Sequence, residues 1–291
     1  MSKLDGKVVL ISGSATGIGN ALVNEFAVRG YKVFATDIVF SNENINNKDK
    51  NPFLTNNPNG NVTPLYCNVA KVEEIRKLKQ ILIDDYKIEK IDILYNNAGV
   101  ASSAPVTDIN DEQLARVFDV NFFGCVRMVT EFFELVIKAK GIIAFTGSVT
   151  GELPMPFGAT YSASKAALNQ YARVLHLEVK GFGVRVINVV TGAVNTDLSD
   201  PTPFPETSIF NTEAGRNSFY MRKKVLKDGK AMEPNVYAQR VIDKLTKSGP
   251  NDFQIFEGHL AGTYVSISRY LPIAALESSL LKKFEMDKIY E

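Results

Sequence analysis

Short runs of β-branched and apolar residues recur at Val8 to Ile11, Val33 to Ala35, Val62 to Tyr66, Ile91 to Leu94, Ile142 to Phe145 and Val184 to Val190, separated by segments whose apolar residues fall at helical spacing. Runs that are apolar throughout, rather than alternating, suit strands covered on both faces. Val117, Phe118, Asn121, Val126, Val129, Phe133 and Ile137 form one of the helical stripes between them. Strand and helix in alternation predict an α/β chain built on a doubly wound parallel sheet with helices on both faces. A helix beginning near Pro234 and a last run at Phe253 to Phe256 bring the sheet to about seven strands. With 291 residues the chain is near the upper limit for one hydrophobic core, so residues 1–291 read as a single domain.

Two stretches depart from the alternation. Ser41 to Asn61 is rich in Asn and holds Pro52, Pro58 and an Asn59-Gly60 turn signal where a crossover helix would join strands two and three, which predicts a surface loop. Residues 196–233 carry Pro201, Pro203 and Pro205 ahead of a mixed helical segment and are too long for an ordinary connection, so a lid is expected there. Residues 259–291 form the expected helical tail. Its apolar part, Tyr264 to Leu281, is interrupted by Arg269, Pro272 and Glu277 and does not read as a membrane span. Leu271, Ala274, Ala275, Ser278 and Leu281 share one helical face, which fits a packed terminal helix, the favoured reading, or peripheral contact with lipid.

Lys and Arg number 33 against 32 Asp and Glu, so no excess charge argues for nucleic acid or an anionic membrane, and a small-molecule ligand fits better. Cys67 and Cys125 lie far apart without paired spacing or a neighbouring His, which argues against a disulfide framework and against a metal site. His176 and His259 likewise lack ligand-like neighbours and read as structural. Met1 to Lys7 has no basic start, apolar middle or cleavage site of a secretory signal, and a cytoplasmic location is expected.

After the first strand comes Gly13-Ser14-Ala15-Thr16-Gly17-Ile18-Gly19, followed by the helical pattern Ala21, Leu22, Phe26. Glycines there permit a tight turn and close backbone approach to a pyrophosphate, whose charge the helix start attracts, so a Rossmann-type dinucleotide site is expected with Gly13, Thr16, Gly17, Ile18 and Gly19 lining it. About twenty residues on, Asp37 ends the second strand, where an acid accepts from both adenosine ribose hydroxyls and repels a 2′-phosphate. Its neighbours Ala15, Thr16 and Ile38 to Phe40 offer no basic side chain, so NAD is expected over NADP. The other reading of Asp37 is a strand-end residue capping a turn.

Tyr161 and Lys165 stand four apart and so share a helix face. Tyr86 with Lys90 and Tyr220 with Lys224 have the same spacing, but only Tyr161 lies in a small-residue context, Tyr-Ser-Ala-Ser-Lys-Ala-Ala. Ser148 follows the fifth strand and Asn97-Ala98-Gly99 the fourth, at the carboxyl edge where ligands of open α/β sheets bind. Asn121 interrupts an apolar stripe, where a buried amide needs partners.

The spacing Gly-x-x-x-Gly-x-Gly, then Asn96-Asn97-Ala98-Gly99, Asn121, Ser148 and Tyr161-x-x-x-Lys165, resembles the short-chain dehydrogenase/reductase signature over nearly the whole chain. Departures are Ser12 for a threonine before the first glycine, Asn68 for an acid beside the adenine, and Thr191 for the proline of a Pro-Gly-x-Val-x-Thr segment. The resemblance implies that Tyr161 is the general acid or base, that Lys165 and the nicotinamide stabilise its phenolate, that Ser148 polarises the substrate oxygen and that Asn121 holds a relay water. It also implies cofactor contacts from Asn68, Val69, Asn97, Ala98, Gly99, Tyr161, Lys165, Val194 and Thr196, and a homo-oligomer formed through the helices of Asn121 and Tyr161.

Leu94 to Gly99, Ile137 to Gly141, Tyr161 to Ala172 and Val184 to Asn188 are similar to acyl-dihydroxyacetone-phosphate reductases, which implies a bulky apolar substrate. Asp37 does not suit them, since those reductases carry basic residues after strand two. The main expectation is therefore an NAD-dependent alcohol dehydrogenase or carbonyl reductase. The alternatives are an NADPH-dependent acyl-dihydroxyacetone-phosphate reductase, with peripheral association to lipid droplets or endoplasmic reticulum, and a dinucleotide-sensing protein without catalysis.

Overall fold

The computed structural model describes residues 6–57, 59–198, 203–227 and 230–289. Pro58, Pro201 and residues 228–229 of the expected lid lie outside the described residues, as do Met1 to Asp5.

Seven strands, β1 (Val8–Ser12), β2 (Lys32–Asp37), β3 (Val62–Tyr66), β4 (Ile93–Asn96), β5 (Ile142–Thr146), β6 (Arg185–Thr191) and β7 (Gln254–Glu257), form one sheet in the order β3-β2-β1-β4-β5-β6-β7. Every pairing is parallel, as the continuous apolar runs required. All five residues of β1 are buried, and β6 buries Val186 to Thr191. Each large apolar side chain so covered contributes roughly 1.5–3 kcal/mol.

The helices are α1 (Gly17–Val28), α2 (Val72–Asp84), α3 (Asp111–Phe118), α4 (Gly124–Ala139), α5 (Ala159–Val179), α6 (Glu213–Lys227), α7 (Pro234–Lys247), α8 (Ala261–Tyr270) and α9 (Ile273–Lys283). One core joins a face of the sheet to α1 and α7 through Phe26, Tyr31, Tyr237 and Ile242. The other joins the opposite face to α2, α4 and α5 through Leu78, Phe132, Leu168 and Val186. Pro234 opens α7, where its missing N–H and fixed φ cost nothing. Asn110 caps α3 by accepting from the Gln113 N–H at 2.8 Å.

Between α3 and α4 the chain makes a π-helical turn, Asp119–Phe123. Beyond it the buried face runs through Cys125, Met128, Val129, Phe132, Leu135 and Val136, while the expected Val126, Phe133 and Ile137 flank it. Ser41 to Asn61 has no crossover helix among the described residues, as its composition predicted; one short 3-10 turn, Ile38–Phe40, precedes it and another, Pro52–Leu54, lies within it. It is more than a surface loop, because Asn51 and Phe53 are buried and the Phe53 ring meets that of buried Phe40 edge to face at 5.9 Å.

A third, small core brings Phe204 and Phe219 from the expected lid onto Phe157, with ring centroids 5.0–6.4 Å apart. The tail departs from expectation. Pro272 breaks it into α8 and α9, and α9 buries none of its residues. The tail is anchored instead by Ala261, Val265 and Phe284, leaving Tyr270 at 89% exposure and Ile273 at 74%. No helix among the described residues is long and apolar enough to cross a membrane.

Candidate active site

Because all strands run the same way, Ser12, Asp37, Asn96, Thr146 and Thr191 end at one edge of the sheet. The chain leaves β1 toward β2 on one side and returns to β4 on the other, so a crevice opens between the two directions of winding.

The glycine loop fills this crevice mouth with backbone alone. Gly13 and Gly17 have φ of +64° and +54°, a region that side chains disfavour. A Cβ on Gly13 would lie 2.6 Å from the Ala98 Cα, and one on Gly19 would collide with the Gly13 carbonyl and stand 2.6 Å from the Asn97 Nδ2. Over Gly17 sits Thr196, its Cγ2 3.3 Å from where a Cβ would be. Helix α1 begins at Gly17 with Thr16 as an exposed N-cap whose side chain makes no capping bond, leaving the helix start open to an anion. Ile18 and Val194 lie partly buried against the core beneath.

Ser12 braces the end of β4: its Oγ accepts from the Asn97 and Ala98 N–H groups, each at 3.2 Å. Asn97 donates to the Gly13 carbonyl at 2.8 Å and accepts from the Thr146 hydroxyl at 2.9 Å, locking the ends of β1, β4 and β5 together. Asn68 caps its own turn by accepting from the Ala70 N–H at 3.0 Å, and Val69 packs against Gly124 at the start of α4. Thr191, where a proline was anticipated, shares a 2.6 Å hydrogen bond with the Tyr237 hydroxyl and so fixes the strand end by other means.

Across the crevice, Lys165 is 4% exposed and its Nζ donates to the Thr146 carbonyl at 2.8 Å while lying 5.7 Å from the centre of the Tyr161 ring. An ammonium buried this far needs such partners. Ser148 follows β5 and its Oγ pairs with the Thr150 hydroxyl at 3.0 Å. Asn121 is wholly buried on the π turn: its Oδ1 accepts from the Val100 N–H at 2.8 Å, and its Nδ2 donates to the Val100 carbonyl and the Ser164 hydroxyl, both at 3.1 Å. Gly99 leaves both groups room, since a Cβ there would be 3.4 Å from the Asn121 Oδ1 and 3.7 Å from the Lys165 Nζ. Asn121, Gly99, Lys165 and Tyr161 thus surround one space at the carboxyl edge. The decoy Tyr220 is 53% exposed on α6. Ser164 and Thr146 were not singled out in the sequence, although both flank residues that were.

His176 faces the Val186 carbonyl at 3.2 Å and stacks near Phe253, and His259 pairs its backbone with Ala193. Burial pushes the Cys67 thiol up to about 12 and that of Cys125 up to about 11, so both are inert neutral side chains.

A turn of glycines at the end of β1 and a phenol beside a buried ammonium on α5 lie at the same edge of the sheet. The class is an oxidoreductase. The sequence profile described as short chain dehydrogenase matches residues 7–204, and the chain belongs to that family. It is 40% identical over 97% of its length to the NADPH-dependent 1-acyldihydroxyacetone phosphate reductase of Saccharomyces cerevisiae, covering 93% of that protein. To the protein of the same description in Schizosaccharomyces pombe it is 31% identical, covering 94% of this chain and 93% of that one. Among solved structures, a short-chain dehydrogenase from Streptomyces avermitilis shares the fold, with a TM-score of 0.77 at 21% identity and 98% coverage of each chain.

These relatives correct the expectation of NAD over NADP, since both are described as NADPH-dependent. The structure gives Asp37 a second task. Its Oδ2 accepts from the Ala15 N–H at 3.0 Å and its Oδ1 from the Val39 N–H at 3.1 Å, so both oxygens brace the glycine loop and cap the 38–40 turn. The carboxylate is part of the loop's own framework.

Proposed function

We propose that the chain is an NADPH-dependent reductase that converts the ketone of a 1-acyldihydroxyacetone phosphate, or a lipid ketone of that class, to the secondary alcohol. The observation that carries this reading is the end-to-end 40% identity to a reductase of that description. A second feature supports it: an open apolar cavity of about 500 Å³ lies beside the start of α5, lined among others by Val106, Phe157, Phe210, Leu280, Leu281 and Met286. That volume suits part of an acyl chain.

The room over Gly13 and Gly19 and the open start of α1 fit a dinucleotide, with Thr16, Ile18, Asn68, Val69, Asn97, Ala98, Gly99, Val194 and Thr196 lining its path. When bound it supplies the hydride. Tyr161 donates the proton that the carbonyl oxygen takes up, Lys165 places positive charge beside the phenol, and Ser148 orients the oxygen. Asn121 holds Val100 and Ser164 and so fixes the wall behind both groups. Residues 203–222, held on Phe157 by their own aromatic core, form the lid that keeps water from the reacting carbonyl.

Exposed Phe123, Val174, Leu177 and Phe182 on and beside α4 and α5 support pairing of two copies through those helices. Light scattering on the purified protein tests this, with a monomer at micromolar concentration as the outcome against it.

For the reaction, NADPH and NADH oxidation are compared with 1-palmitoyl-dihydroxyacetone phosphate and with short neutral ketones. NADPH-linked turnover of the lipid with kcat/KM at least about tenfold above the short ketones is expected. Turnover of short ketones alone, or of none, would sink the reading.

A further inference from the structure

The lid carries a buried cation beside the site. Arg222, on α6, is 6% exposed and its Nη1 donates to the Ser103 hydroxyl, in the loop that follows Gly99. A Cβ on Gly158 would stand 2.9 Å from its Nη2, so this glycine clears the space that the guanidinium occupies. Gly158 is the N-cap of α5 and supplies no side-chain cap; the first rung of the helix runs from the Ser162 N–H to the Gly158 carbonyl at 2.9 Å. The N–H groups before it point along the helix axis with the positive end of its dipole. Two buried hydroxyls on the same two helices have no hydrogen-bond partner among the described residues: Thr160, 4% exposed, in the first turn of α5, and Ser218, 0% exposed, one turn before Arg222 on the same face of α6. Phe157, the residue before Gly158, takes the left-handed φ of +55° and lines the apolar cavity.

We infer that Arg222, with the start of α5 and the Thr160 and Ser218 hydroxyls, binds the phosphomonoester of the ketone substrate, an assignment that rests on the reading of the substrate as a phosphorylated lipid ketone. A planar guanidinium offers paired donors matched to phosphate oxygens, and the two hydroxyls supply further donors. The placement matches the substrate's chemistry. Tyr161 follows Gly158 by three residues, about 4.5 Å along the helix, and in an acyldihydroxyacetone phosphate only a methylene and an oxygen separate the carbonyl carbon from phosphorus. The acyl group leaves from the other side of the carbonyl, toward the cavity lined by Phe157, Phe210 and Leu281. Arg222 and the cavity thus hold the two ends of an amphiphile with its ketone between them, which makes Arg222 a specificity residue.

The test uses the full chain with saturating NADPH and compares wild type, Arg222→Gln and Arg222→Lys on 1-palmitoyl-dihydroxyacetone phosphate and on its neutral, dephosphorylated form. Arg222→Gln is expected to raise KM for the phosphorylated ketone tenfold or more while leaving KM for the neutral one within twofold, with Arg222→Lys intermediate. An equal loss on both substrates, or no change on either, overturns the assignment, because a residue that merely pins the lid does not distinguish them. Glycerol 3-phosphate is the second probe. It should compete with the neutral ketone in wild type and not in Arg222→Gln; absence of competition in wild type also overturns the assignment. Competition without turnover of the phosphorylated lipid would instead sink the proposed reaction and leave the anion site standing.

Discussion

The Lys165 ammonium donates a 2.8 Å hydrogen bond to the carbonyl oxygen of Thr146, the last residue of β5. A side chain on α5 is thereby tied to the sheet edge on which the substrate oxygen is expected, and its charge is aimed at the ring of Tyr161 rather than at solvent. Position and charge come from one contact.

Tyr161→Phe removes the proton donor and little else. It is expected to lower kcat by about 10²–10⁴-fold with NADPH affinity unchanged in a fluorescence titration. Lys165→Met should lower both, because it strips a buried cation from the nucleotide side as well; equal affinity in the two variants would count against that division of labour.

Gly19→Ala sets a methyl group against the Gly13 carbonyl. Nucleotide binding should weaken at least about tenfold, with about 1–3 kcal/mol lost in urea unfolding. Gly181→Ala is the control, since a Cβ there meets nothing within 4 Å; similar losses in both would show that the tight packing of the loop is irrelevant.

Asn121→Ala leaves the part-buried Val100 N–H and carbonyl without their side-chain partners. A stability loss of about 2–3 kcal/mol is expected, with a fall in kcat. Full activity at lowered stability would reduce Asn121 to a structural brace.

Asp37→Ala removes acceptors from the Ala15 and Val39 N–H groups. It should cost about 1 kcal/mol in chemical denaturation and leave KM for NADPH no higher than in wild type. Unchanged stability would mean that these backbone bonds do not direct the carboxylate.

Burial raises the thiols of Cys67 and Cys125 from 9.0 to about 12 and about 11, and the Tyr171 hydroxyl from 10.0 to about 12. The folded chain keeps these protons when the unfolded chain has begun to release them. Their contribution to stability is therefore full below about pH 9 and is lost as pH rises toward 11 and 12. The urea midpoint should fall between about pH 9 and pH 11, and fall less in Cys125→Ala; identical pH profiles would refute the linkage.

The strands and the glycine turn were legible because their signals are local: β1 is apolar at every position before Ser12, and glycine alone suits Gly13. Asn121, Ser148, Tyr161 and Lys165 were singled out by the resemblance of their order and spacing to a family signature, and Tyr161 also by its small-residue context. Asp37 was misread because position along the strand does not reveal which way a carboxylate turns, and nearby backbone N–H groups hold it. Arg222 gave no signal, since it stands before Lys223 and Lys224 and looks like part of a solvated run. Its burial arises only when α6 packs on Phe157. The tail's apolar face and its interruption at Pro272 were visible, but not that α9 would bury none of its residues.

The π turn also dictates where this chain tolerates a change of length. Removing one residue from 119–123 would restore a regular helix but rotate everything beyond it by about 100° relative to everything before. Either Asn121 would leave Val100, or Met128 and Phe132 would leave the sheet. Insertions and deletions should therefore survive in the Asn-rich segment after β2 and be purged from residues 111–139, so that the spacing from Gly99 to Asn121 is preserved in functional variants even where side chains change.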